Sequence, residues 1–161
     1  MHKLKLFLIG IILFFISTTF IDELSLYQIT PCILLPWVIY ISINFEYKYC
    51  LLLTFFFSLA LDVINPQLLG FSTIIMLLIS HFTFIYNKSI NKNRVITVIL
   101  SLLIINLFYY FIQWIYFTIS SPDPLYLLSK IILTLLYNTV ISFILIYVLA
   151  ILDKLKIVLY G

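Results

Sequence analysis

Charged residues are scarce in this 161-residue sequence: Asp, Glu, Lys and Arg make up 9% of it, while 65% of its residues are hydrophobic. Soluble domains average about 25% charged and about 45–50% apolar residues. A chain as apolar as this one has too few polar side chains to cover a surface in water. The composition therefore argues against a soluble domain. At this length it predicts a single integral membrane domain over residues 1–161.

Residue types that carry chemistry are also few. The sequence has two Cys, two His and six acidic residues, and it holds no metalloprotease motif, paired carboxylates or phosphate-binding glycine loop. Cys32 and Cys50 are predicted at opposite ends of neighbouring helices, too far apart for a disulfide. His81 has only His2 as a possible partner, so a histidine cluster is excluded. We therefore predict no enzyme activity, no metal and no cofactor, and the lack of an aromatic and basic face argues against nucleic-acid binding.

What the sequence does have is long apolar runs, at about residues 4–20, 30–44, 49–64, 68–86, 95–119 and 125–152. We place the first residues in the cytoplasm and thread these runs through a bilayer. Every Lys and Arg except Lys130 then falls on the inner side, while Asp22, Glu23, Asp62 and Asp123 fall outside. This is the positive-inside distribution of inner-membrane proteins. The predicted fold class is an all-α membrane protein, a six-transmembrane helix bundle of the bacterial inner membrane with both termini cytoplasmic.

Two of the runs are ambiguous, so five spans compete with six. The first, at 4–20, also resembles a signal peptide, but Thr-x-Thr is a poor cleavage site, which favours its retention as a helix. The second, at 30–44, would cover only about 22 Å of a bilayer core about 30 Å thick. It must be surrounded by thinned bilayer, extend outward from Ser25 or lie partly buried between neighbours. Pro31 is expected at its start, and Pro36 is expected to kink or shift it.

The polar residues within the runs are candidates for helix contacts or for function. For Asp62 we favour a carboxylate that accepts N–H groups in the following turn or caps the fourth helix. The alternative is a partner contact or an ion pathway, since ionisable groups in a bilayer are costly. Asn106, Gln113 and Asn138 are expected to form hydrogen bonds between helices rather than a substrate site. His81 is expected to face another helix or the interface, and aromatics near span ends, such as Trp37, are expected to act as interface anchors.

Gly70 follows the Asn65-Pro66 break and is one of only three glycines. Glycine adopts positive φ or permits a close backbone approach without a steric penalty. Residues 62–70 are therefore predicted to form a rigid, acidic hairpin turn on the outer side. We call this segment the 62–70 turn.

These elements resemble the rod shape-determining protein MreD family. The resemblance lies in a proline-started second span (Thr30-Pro31-Cys32), a third span that ends in Leu59-Ala60-Leu61-Asp62, and a fourth that opens with Leu69-Gly70 after a short turn. The chain departs from the family at Ser58 and Ala60, where glycine is common. It also has Asn65-Pro66-Gln67 in place of a glycine-rich turn, and it lacks a proline near Tyr137.

The resemblance implies a fold similar to the substrate-binding subunits of energy-coupling-factor transporters. It also implies a non-enzymatic scaffold of the bacterial cell-elongation complex. Such a scaffold binds MreC within the membrane lipid, and through MreC it connects to RodA, a class B penicillin-binding protein and, indirectly, MreB. The expected structural or partner-contact residues are Asp62, Pro66, Leu69, Gly70 and Pro31. The alternative function is a membrane subunit that binds a vitamin-like molecule for a transporter.

Overall fold

The computed structural model describes residues 2–20, 31–64, 70–86, 95–120 and 124–154. Within these ranges the chain forms helices and no strands, which confirms the all-α class. The helices are α1 (His2–Thr19), α2 (Leu34–Asn44), α3 (Tyr47–Ile64), α4 (Phe71–Tyr86), α5 (Val95–Ser120) and α6 (Pro124–Lys154).

The shortest helix, α2, is also the most enclosed. It has 11 residues, and every residue from 34 to 42 is buried. It packs against α1, α3, α4 and α6. At 1.5 Å per residue it is only about 16 Å long. Of the three explanations for a short second run, burial between neighbours is the one that this packing supports.

The start of α2 differs from the sequence prediction. Pro31 lies ahead of the helix, which begins at Leu34, so its expected place at the helix start is wrong. The reason is a tertiary contact, because the Cys32 backbone N–H donates to Asn138 Oδ1 of α6 at 2.8 Å. Pro36 therefore lies in the first turn of α2. Backbone N–H groups there have no intrahelical partner, so the missing N–H of proline removes no hydrogen bond. The expected kink or shift caused by Pro36 stays a prediction.

An aromatic cluster joins α1, α2 and α3. The Trp37 and Phe57 rings meet edge to face with centroids 5.1 Å apart, and both side chains are buried. Gly10 of α1 lies so close that an added Cβ would stand 2.7 Å from Trp37 and 2.9 Å from Phe57. Trp37 is therefore a core residue, and its expected role as an interface anchor is wrong.

Two polar contacts fix the pairing of α3 with α4. At one end, the Tyr47 hydroxyl lies 2.6 Å from His81 Nδ1, and at the other end Asp62 bonds to Thr73. The first residue of α3 thus meets the second half of α4, and the end of α3 meets the first turn of α4. The two helices therefore run antiparallel. Helix α4 also packs on α2, while α5 packs mainly on α6.

The described interior has an apolar core with several polar side chains in it, and large apolar side chains also cover the outside. The buried residues include polar ones such as Ser42, Ser80, Asn106, Asn138 and Ser142, whereas large apolar side chains line the outside of α1, α3, α4, α5 and α6. Two helical segments, Tyr47–Ile64 and Ile132–Leu152, are long and apolar enough to cross a membrane. The remaining spans and the orientation of the chain stay predictions.

Candidate functional site

The buried carboxylate of Asp62 is the centre of the candidate site. Asp62 lies in the last turn of α3 and is 1% exposed. Its Oδ2 accepts two hydrogen bonds from one residue, at 2.9 Å from the Thr73 backbone N–H and at 2.6 Å from the Thr73 hydroxyl. Thr73 is the third residue of α4, so this N–H belongs to the group that no helix carbonyl can reach. The expected capping role of Asp62 is confirmed.

The electrostatics of the cap favour a carboxylate. The first turn of a helix carries a partial positive charge from its aligned peptide dipoles, and an anion there is stabilised by about 0.3–1 kcal/mol or more when partly buried. The Asp62 carboxyl group lies at this end of α4. The second oxygen, Oδ1, is buried and has no hydrogen-bond partner among the described residues.

Gly70 supplies the backbone geometry for the same turn. Its φ is +82°, in the left-handed region that side chains other than Asn or Asp rarely adopt. Its carbonyl then accepts the Ile74 N–H at 3.1 Å as the first bond of α4. A Cβ on Gly70 would meet no atom within 4 Å, so the requirement here is for the φ angle and not for space. The predicted use of positive φ at Gly70 is confirmed.

Of the three other predicted site residues, the structure describes only Pro31. Pro66 and Leu69 lie outside the described residues, so their expected roles stay predictions. Pro31 is buried, next to the residue that bonds to Asn138. The structure thus brings Asp62 and Gly70 to the start of α4. It places Pro31 at the α2–α6 contact.

Amides and hydroxyls elsewhere in the interior bond across helices. Asn138 accepts from the Cys32 N–H and donates to Thr134 O at 2.9 Å, and it is 1% exposed. Asn106 donates to Leu102 O at 2.9 Å and makes a longer contact of 3.4 Å with Ser142 Oγ of α6. The predicted interhelical role is confirmed for these two residues. Gln113 has no hydrogen-bond partner among the described residues.

Sequence reasoning missed several partners. Ser42 and Ser80 bond to each other between α2 and α4 at 2.9 Å, and Tyr47 pairs with His81. Sequence reasoning also missed Thr73 as the partner of Asp62. A hydroxyl residue in the first turn of a helix that follows an acidic residue could have predicted this hydrogen bond. Single hydroxyls within apolar runs carry no comparable signal, because their partners are set by which helices meet.

The arrangement holds helices together, and its polar atoms face one another. Cys32 and Cys50 are both free thiols. The described residues contain no group of three or more His, Cys, Asp or Glu side chains that could hold a metal ion. Asp62, Asn138 and Ser42 each join one helix to another within the interior.

Comparison with known proteins gives no relative for this chain: no family model matches it, and neither does any curated protein or solved structure.

Proposed function

We propose that the chain is a multi-pass protein of the bacterial inner membrane, a six-helix bundle whose fold is similar to that of the energy-coupling-factor substrate subunits. The support is the large apolar surface of the helices together with the polar side chains in the interior. Phe15, Leu52 and Val63 are all more than 60% exposed, whereas Asp62 and Asn138 are buried and hydrogen-bonded. Large apolar patches on an isolated surface mark contact with lipid or with another protein.

Within that membrane, we infer a scaffold for cell-wall elongation that binds MreC. The observation that carries this proposal is the capped turn formed by Asp62, Gly70 and Thr73. It lies where the resemblance to the MreD family puts an aspartate, a short turn and a Leu-Gly pair. The chain joins two helices there, with a carboxylate cap and a positive-φ glycine at the start of α4.

The role of Asp62 in such a scaffold is indirect. Its carboxylate is 1% exposed and is occupied by Thr73, so a partner would not touch it. It bonds the last turn of α3 to the first turn of α4. MreC would contact the neighbouring backbone or the outer faces of these helices.

The test is affinity isolation of the tagged full-length chain in mild detergent, with mass spectrometry of proteins and of small molecules. The proposal expects MreC, together with RodA or its transpeptidase, at levels well above a tagged, unrelated six-span protein. It also expects loss of rod shape when the chain is depleted. Normal cell shape after verified depletion, in cells with no second copy, would contradict it.

A second candidate function has a specific observation in its favour. Asn106 Oδ1 and the Tyr110 hydroxyl are both buried and have no hydrogen-bond partner among the described residues. Unpaired buried polar atoms are costly, and a small polar molecule within the bundle would satisfy them. This favours the subunit of a transporter that binds a vitamin-like compound. Recovery of such a compound, or of an ATPase module, in the same isolation would support this function over the scaffold.

A further inference from the structure

We draw no further inference here: the strongest candidate, the apolar groove between α4 and α5 that Ile79 and Ile104 line, carries none, because nothing in the described residues shows what covers it.

Discussion

Both polar hydrogens of Thr73 point at one oxygen of Asp62: its backbone N–H and its hydroxyl donate to Oδ2 at 2.9 Å and 2.6 Å. A single carboxylate oxygen thereby holds the first turn of α4 against the last turn of α3. The contact is within the protein and shielded from solvent, so its strength does not depend on a partner.

Replacing Asp62 tests this contact. Asp62→Ala leaves the Thr73 N–H and hydroxyl buried and unpaired, which we expect to destabilise the fold by about 1–3 kcal/mol. Under the proposed scaffold function, recovery of MreC should fall as well. Asp123→Ala is the control, an acidic residue in the Ser-Ser-Pro-Asp-Pro segment. Thermal unfolding and affinity isolation at matched protein levels measure the two effects. Equal behaviour of the two variants would remove any special status from the 62–70 turn.

The positive φ angle of Gly70 predicts that different substitutions at this position destabilise the fold to different extents. Gly70→Leu forces a side chain into the left-handed region at a cost of about 1–2 kcal/mol, although there is open space around its Cβ. Gly70→Asn should be tolerated better, because Asn adopts positive φ several times more often than most residues. The unfolding temperatures should fall in the order native, Asn, Leu. If Asn and Leu destabilise equally, backbone conformation is not the cause.

Gly10 is required for a different reason, which is space. A Cβ at Gly10 would come within 3 Å of the Trp37 and Phe57 rings, and both rings are buried. Gly10→Ala should therefore destabilise by about 1–3 kcal/mol through overpacking. Ile12→Ala, at an exposed position of the same helix, is the control and should have little effect. A neutral Gly10→Ala would mean that α1 shifts freely on α2.

Asn138 fixes the segment ahead of α2. Asn138→Leu keeps the volume but leaves the Cys32 N–H unpaired, so we expect a loss of about 1–3 kcal/mol. Maleimide labelling of Cys32 should accelerate, measured in a Cys50→Ala background so that only one thiol reacts. Val140→Ala, at an outward-facing position of α6, should label at the native rate. An unchanged labelling rate in Asn138→Leu would show that other contacts hold this segment.

The charges of the basic segment between α4 and α5 predict the orientation of the chain in the membrane. Changing Lys88, Lys92 and Arg94 to Gln removes the charges that resist translocation. The predicted topology expects a reporter fused near Asn91 to read cytoplasmic in the native sequence and partly periplasmic after these changes. A reporter that stays fully cytoplasmic after these changes would contradict the predicted topology.

The sequence predicts a helix end well where the residues next to that end determine it, and poorly where a distant contact does. The ends of α5 and α6 match their predicted runs within two residues, because Asn-, Lys- and Ser-Pro-rich segments flank them. The start of α2 does not match, and the segment ahead of it is bonded through Cys32 to Asn138, 106 positions later in the chain. The same holds for the site. The capping role of Asp62 and the positive φ of Gly70 follow from neighbours in sequence, but the Ser42–Ser80 and Tyr47–His81 pairs depend on which helices meet.

The Cys32–Asn138 bond sets an order of events during synthesis. The ribosome delivers α2 early and Asn138 of α6 late, so this bond cannot form until most of the chain has been translated. An 11-residue helix offers too little apolar length to stay in a bilayer by itself. In the proposed membrane location, α2 would be accommodated beside α1 or by the insertion machinery until α4 and α6 are synthesised. Truncation before residue 138 should therefore leave a nascent chain whose second helix is unprotected, and quality-control proteases would recognise that defect first.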